Sequence, residues 1–174
     1  MTYIDENRQR EAGAALYNLM LALWVGGIFI FTFLVTPVIF KSFGRDTASA
    51  IVDKLFPFYF PYSLVIVILT FGFFLISGPK RRVRHKLVFA LLVIAVMISL
   101  FVNFGLYPEI RKTKQEIVSF EKTPIDSPER KRFRALHGIS MTLNIILLAD
   151  GVALIVVGSF LKKGTNPERG WDKR

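Results

Sequence analysis

The chain has 174 residues, contains no cysteine and carries a formal net charge of +10 at pH 7. The lack of cysteine excludes disulfides, thiolate metal sites, iron–sulfur ligation and a cysteine nucleophile. Hydrophobic residues make up 52% of the chain, only slightly more than in globular proteins, so their distribution decides the class. They form long apolar blocks flanked by lysine and arginine. This pattern predicts an integral membrane protein that contacts anionic lipid headgroups, and it argues against nucleic acid as a partner.

Apolar blocks long enough to cross a bilayer predict the architecture, since about 20 residues suffice for a spanning helix. The predicted spans cover residues 15–40, 58–77, 87–107 and 138–161. We therefore expect one domain over residues 1–174, an all-α four-transmembrane-helix bundle. The first block is too long for the apolar part of a signal peptide and has no small-x-small cleavage site, so we expect it to remain as a span.

The first span carries a predicted packing face. Trp24, Gly27 and Phe31 fall on one side of a helix by their three- and four-residue spacing. Gly26 and Gly27 have no side chain, which permits a neighbouring helix to approach closely. Pro37 predicts a kink near the end of the span.

Residues 46–56 predict a short amphipathic helix in the headgroup region. Ala48 and Val52 lie on its apolar face, and its charged residues lie elsewhere. The segment LFPFYFPYS, rich in proline and aromatic residues, follows it and leads into the second span. Its residues Tyr59 and Tyr62 fit the aromatic belt at the membrane interface.

The third span carries a polar stripe that repeats every four residues: Ser99, Asn103, Tyr107 and Arg111. We expect Asn103 to donate an interhelical hydrogen bond. The connection over residues 108–137 predicts two helices that extend spans three and four beyond the bilayer as a basic hairpin. Within it, the sequence Ser-Pro-Glu at residues 127–129 is typical of a helix start.

His137, at the membrane boundary of the fourth span, is the candidate cofactor or metal ligand. A histidine at this position favours haem b or a copper ion as the cofactor. Asn144 lies about two turns further on the same helix face and is the second candidate cofactor-binding residue. A second haem histidine would have to be His85, which the four-span arrangement places on the opposite side. The alternative is that His137 only positions the basic hairpin.

Asp150 lies near the middle of the fourth span. An ionisable residue inside a membrane is a functional-site hypothesis by default, because an unpaired charge there costs several kcal/mol. Two interpretations stay open. In the first, Asp150 serves as a proton or cation site. In the second, it is a neutral structural acid that bonds to one of three polar side chains: Asn18, Thr32 or Asn103.

The sequence contains no G-x-S-x-G, H-E-x-x-H or P-loop motif and no close pair of carboxylates within the spans. We therefore expect a protein that is not an ordinary hydrolase, and no enzymatic activity is predicted.

Four segments carry a resemblance to a known family: LWVGGIFIFTFLVTPVIF, AIVDKLFPFYF, LYPEIR and RFRALHGISMTLN. Over about residues 23–158 the chain resembles the transmembrane protein 205-like family, which is distantly similar to the copper-resistance protein D group. The residues that carry the resemblance are Trp24, Gly26, Gly27, Pro37, Phe56, Pro57, Pro108, Arg111, His137, Ser140 and Asn144. The resemblance implies a four-helix membrane domain of unknown function.

Three functional hypotheses follow. The first is a non-enzymatic accessory subunit or a resistance- or transport-associated component. It would form a homo-oligomer or join a larger membrane complex through the glycine face of span one. The second is a haem- or copper-binding redox protein that uses His137. The third is a small proton or cation pathway built on Asp150.

Four spans place both termini on one side of the membrane. Twelve lysines and arginines lie on that side and eleven on the other, which is nearly balanced under the positive-inside rule. The turn over residues 78–86 is dense in cations and has no acid. We therefore expect the plasma (inner) membrane, with both termini in the cytoplasm.

Overall fold

The structure, a computed structural model, describes residues 3–77 and 82–163. Six α-helices cover most of them: α1 Tyr3–Phe29, α2 Thr36–Ser42, α3 Arg45–Ser77, α4 Arg82–Phe101, α5 Tyr107–Gln115 and α6 Pro128–Lys163. Two π-helical segments, Ile30–Val35 and Val102–Leu106, join α1 to α2 and α4 to α5. Residues 78–81 of the predicted basic turn, and residues 164–174, lie outside the described residues.

The predicted architecture is confirmed. Within the described residues, four helical stretches are long and apolar enough to cross a membrane: Arg8–Ser42, Arg45–Ile76, His85–Gln115 and Pro128–Ser159. α1 packs against α3 and α6, α4 packs against α3 and α6, and α5 packs against α6. The chain is therefore an all-α membrane bundle.

The core of the bundle joins α1, α3, α4 and α6. Trp24 is 1% exposed and packs with Ile28, Val67, Leu92 and Leu154 in one cluster. Apolar side chains also cover much of the outer surface of the spans, as expected for helices that face lipid tails.

Each π-helical segment ends two residues before a proline. Pro37 is the second residue of α2, and Pro108 is the second residue of α5. A proline has no N–H, and in an α-helix its ring clashes with the carbonyl four residues earlier. That carbonyl belongs to Phe33 for Pro37 and to Phe104 for Pro108, and both lie inside the π segments. The wider turn lets the helix continue past the proline. At Pro37, where the sequence predicts a kink, the structure has a π-helical segment just before the proline.

α3 differs from the prediction at its start. The predicted short helix over residues 46–56 is not separate from the second span, because both belong to one helix of 33 residues with Pro57 and Pro61 inside it. Prolines are tolerated in such helices when neighbouring groups satisfy the freed carbonyls. Ala48 and Val52 are buried, so the predicted apolar face is the inner face of this first part of α3.

α5 and the first part of α6 form the predicted hairpin, joined by residues 116–127. Arg132 donates to a carboxylate oxygen of Glu109 at 3.0 Å, which links the two helices. The connection is also attached to α3, because Asp46 accepts hydrogen bonds from the Ser119 hydroxyl and the Phe120 N–H. The hairpin therefore packs over the start of α3.

Candidate functional site

A cavity of about 270 Å³ lies where the helices leave the apolar part of the bundle. It is enclosed by α2, the first part of α3, α5, the connection and the start of α6, and we call it the boundary cavity. Its walls are mostly apolar and include Phe40, Val52, Phe56, Ile110, Phe120 and Phe133. Phe40 ends the predicted first span and Tyr107 ends the third, so the cavity lies at the predicted edge of the membrane.

Four charged side chains line the boundary cavity: Arg45, Asp53, Arg111 and Lys114. The Lys114 ammonium lies 3.4 Å from a carboxylate oxygen of Asp53 and donates to the Ser49 carbonyl at 2.8 Å. Among the described residues, no carboxylate lies within ion-pair distance of Arg45 or Arg111. The cavity therefore combines apolar walls with an excess of positive charge.

The polar stripe of the third span leads into this cavity. Tyr107 and Arg111 line the cavity, and the buried Tyr107 hydroxyl has no hydrogen-bond partner among the described residues. Ser99 and Asn103 line a smaller space deeper in the bundle. The Asn103 amide donates to the Ser99 carbonyl of its own helix at 2.9 Å, so the predicted interhelical bond of Asn103 is not formed.

His137 lines the boundary cavity and also a second cavity of about 170 Å³ under the connection. Its ring stacks on Phe133, with 5.6 Å between centroids and 6° between planes. His85, at the start of α4, stacks on Phe74 near the other end of the bundle. The two histidines are therefore not brought together.

Within the described part of the chain, no three or more histidine, aspartate or glutamate side chains come close enough to hold a metal ion. His137 therefore belongs to no such group there, and the geometry gives no support to the copper or haem hypothesis.

Asn144 lies in a polar contact that joins three parts of the bundle. Its amide oxygen accepts from the Tyr59 hydroxyl at 2.7 Å, and its amide nitrogen donates to the Thr32 hydroxyl at 2.7 Å. Tyr59 also stacks on Phe31, with 4.0 Å between ring centroids. Tyr59 therefore points into the bundle and not into the interfacial belt where the sequence placed it.

The sequence did not identify Tyr59 as a partner of Asn144, although one signal existed. Tyr59, Ser63, Ile66 and Thr70 recur at three- and four-residue spacing, the repeat of a buried helix face. The structure buries Ser63, Ile66 and Thr70.

Asp150 is 8% exposed, and its Oδ2 atom has no hydrogen-bond partner among the described residues. The three partners predicted for it lie elsewhere: Thr32 bonds to Asn144, Asn103 bonds to the Ser99 carbonyl, and Asn18 is exposed. Tyr17 of α1 is a neighbour that interacts with Asp150 electrostatically. None of the three hydrogen bonds considered for Asp150 is therefore formed among the described residues.

The residues predicted for helix packing in the first span, Trp24, Gly26 and Gly27, have different surroundings in the structure. A Cβ atom on Gly27 would lie 2.8 Å from Cε1 of Tyr62, whose hydroxyl donates to the Leu23 carbonyl at 3.0 Å. A Cβ atom on Gly26 would meet nothing within 4 Å. Trp24 is buried against α6, where Gly151 comes close to its indole.

Comparison with known proteins gives a similar protein and a matching family model. An uncharacterized protein of Aquifex aeolicus (strain VF5) is 29% identical over 140 residues, which cover 79% of this chain and 92% of that protein. No solved structure matches the chain. The model of a domain of unknown function, DUF4149, matches residues 19–119. Because this match covers more than half of the 174 residues, the chain belongs to the DUF4149 family.

Proposed function

We propose that this protein is a non-enzymatic membrane protein that binds a small amphipathic molecule in the boundary cavity, as an accessory, resistance- or transport-associated component. The observation that carries the proposal is the cavity itself, with apolar walls and a few charged groups at the predicted membrane edge. Ligand sites in proteins share this composition. The volume of about 270 Å³ is near the lower end of such sites, so it suits one alkyl chain better than a two-chain lipid.

The groups that line the cavity support binding more than catalysis. Asp53 is held by Lys114 at 3.4 Å, and His137 is stacked on Phe133. Among the described residues, no hydroxyl group donates to His137, so there is no activated nucleophile of the serine–histidine type.

The DUF4149 match carries neither the transmembrane protein 205-like name nor a copper-resistance name. The resemblances to the transmembrane protein 205-like family and to the copper-resistance protein D group therefore remain proposals. They support the four-span design, and they supply no ligand for the cavity.

A pair of variants tests the proposal. Val52 is 5% exposed and lines the cavity, whereas Val65 of the same helix is 52% exposed on the outer surface. We expect Val52→Phe to fill the cavity and Val65→Phe to leave it open. The measurement is photolabelling in nanodiscs by an alkyl probe that carries a diazirine, with the crosslinked peptides located by mass spectrometry.

The expected result is labelling of residues 45–56 and 107–120 in the parent protein and in Val65→Phe, with at least a several-fold loss in Val52→Phe. Labels that spread evenly over the lipid-facing surface, and that do not respond to Val52→Phe, would contradict a ligand cavity. Ile110→Phe, in α5, provides a second filling variant if Val52→Phe elutes as an aggregate.

A second candidate function is favoured by the buried, unpaired Oδ2 atom of Asp150. A carboxylate in that position supports a proton or cation pathway, since such a group is costly to keep in a bilayer. If it is a pathway residue, Asp150→Asn abolishes ion or proton flux in proteoliposomes. Flux that is absent from the parent protein, or unchanged in Asp150→Asn, removes this candidate.

A further inference from the structure

We infer that the molecule held in the boundary cavity is an anionic amphiphile, a single alkyl chain that ends in an oxyanion such as a carboxylate or a phosphate, with Arg45 and Arg111 binding the headgroup. The inference rests on the proposed function, because it names the ligand class of the same cavity.

The charges around the cavity favour an anion. Lys114 and Asp53 face each other at 3.4 Å and largely cancel. Arg45 and Arg111 remain as positive groups with no ion-pair partner among the described residues. An arginine guanidinium presents a planar fork of donors that matches a carboxylate or phosphate in bidentate geometry. Arg45 and Arg111 are exposed residues beside mostly apolar walls, so their attraction for an oxyanion depends on bidentate hydrogen bonds and not on burial of the charges.

Three other acids near Arg45 and Arg111 in the chain or beside Gly44 make no ion pair with either arginine. Asp46, next to Arg45, accepts from Ser119 and Phe120. Glu109 pairs with Arg132 on α6. The Glu121 carboxylate lies against Gly44 but does not reach ion-pair distance of Arg45.

Tyr107 adds a neutral group to the same wall. Its hydroxyl is buried and unpartnered among the described residues, and it lies one helical turn before Arg111. The hydroxyl has almost no accessible surface, so Tyr107 contributes to the cavity wall and the two arginines bind the headgroup.

The order of residues along α5 sets the orientation of the ligand. Tyr107 begins the helix at the membrane edge, and Lys114 lies about two turns further out. Along α3, Arg45 begins the helix and Phe56 lies about three turns further on, next to the predicted second span, where an alkyl chain is stable. The headgroup therefore faces the aqueous end of the cavity and the chain faces the membrane.

The test uses the full chain in phosphatidylcholine nanodiscs and two photoreactive probes with the same alkyl chain, one ending in a carboxylate and the other in an alcohol. We expect the carboxylate probe to label residues 45–56 and 107–120 about tenfold more strongly at equal bilayer concentration, as expected for a charge-assisted hydrogen bond. Arg45→Gln and Arg111→Gln should each remove most of this preference. Lys112→Gln is the matched control, because Lys112 is exposed on the same helix and does not line the cavity.

The outcomes separate the two proposals. Equal labelling of the cavity by both probes, insensitive to Arg45→Gln and Arg111→Gln, overturns the anionic headgroup and leaves the proposed function standing. Absence of cavity labelling by either probe overturns both. Displacement of the carboxylate probe by an equal concentration of inorganic phosphate would indicate a free-anion site and overturn the amphiphile. If Arg111→Gln does not fold, Arg111→Lys keeps the charge without the planar fork and should reduce the preference partially.

Discussion

The Asn144 side chain connects three parts of the bundle through one amide group. It bonds to Tyr59 on α3 and to Thr32 in the first π segment, while its own backbone belongs to α6. Both bonds measure 2.7 Å and lie in a part-buried position. Inside a bilayer no water can replace these hydrogen bonds, so each of the three polar side chains needs the others as hydrogen-bond partners.

A double-mutant cycle measures this contact. We expect Asn144→Leu and Tyr59→Phe each to destabilise the bundle, with a coupling free energy of about 0.6 to 1.7 kcal/mol, the range for hydrogen bonds between membrane helices. The measurement is unfolding by sodium dodecyl sulfate in mixed micelles. Ile145→Leu, on the exposed face beside Asn144, should leave the unfolding curve unchanged. Additive effects of Asn144→Leu and Tyr59→Phe would show that the two groups do not bond in the folded protein.

Glycines decide where α1 approaches its neighbours. A Cβ atom on Gly151 would lie 2.6 Å from Cγ2 of Val25, and one on Gly27 would lie 2.8 Å from the Tyr62 ring. The sequence suggested close approach at Gly26 and Gly27, because the pair stands out in an apolar span. It could not distinguish them, since the rotation of α1 depends on the helices packed against it.

At the scale of elements, the connection over residues 116–127 is attached to α3 and α6 through contacts at Ser119, Phe120 and Thr123. Asp46, in the first turn of α3, binds Ser119 and Phe120. The Arg130 guanidinium donates to the Thr123 carbonyl at 2.7 Å and lies 5.8 Å from the centroid of Phe120. Phe120 lines the boundary cavity, so these contacts also fix one of its walls.

We expect Asp46→Ala to release the connection while the four spans stay folded, because the change removes both bonds at one end. Limited trypsin digestion should then cleave after the exposed Lys122 several-fold faster. Asp126→Ala is the comparison, since Asp126 is exposed and lies 3.8 Å from the Lys131 ammonium, a contact of little energetic consequence. Equal cleavage rates in Asp46→Ala and the parent protein would show that Asp46 does not hold the connection.

The continuity of α3 could not be predicted from its residues. Pro57 and Pro61 normally mark helix ends, and the sequence therefore suggested two helices where there is one. Whether a proline ends a helix or lies within it depends on how neighbours satisfy the freed carbonyls. That information resides in the packing of other helices and not in the segment LFPFYFPYS.

For the whole molecule, the spans were predictable and the cavity was not. A bilayer requires about 20 apolar residues per crossing, so blocks such as 138–161 stand out from composition alone. The boundary cavity instead combines Phe40, Arg45, Arg111 and Phe133, from parts of the chain that no local pattern connects. Arg111 was visible as the end of a polar stripe and as one of the residues that carry the resemblance, and Arg45 carried no signal.

The α3 helix is longer than the hydrocarbon core of a bilayer is thick. α3 has 33 residues, a length of about 50 Å against a hydrocarbon core of about 30 Å. With residues 58–77 as the predicted span, we expect the first part of α3 to project beyond the core together with α5, and the boundary cavity lies between these parts of the two helices. A thicker bilayer would cover more of the cavity mouth, and a thinner one would expose it to water. We therefore expect membrane thickness to change access to the cavity without any conformational change in the protein.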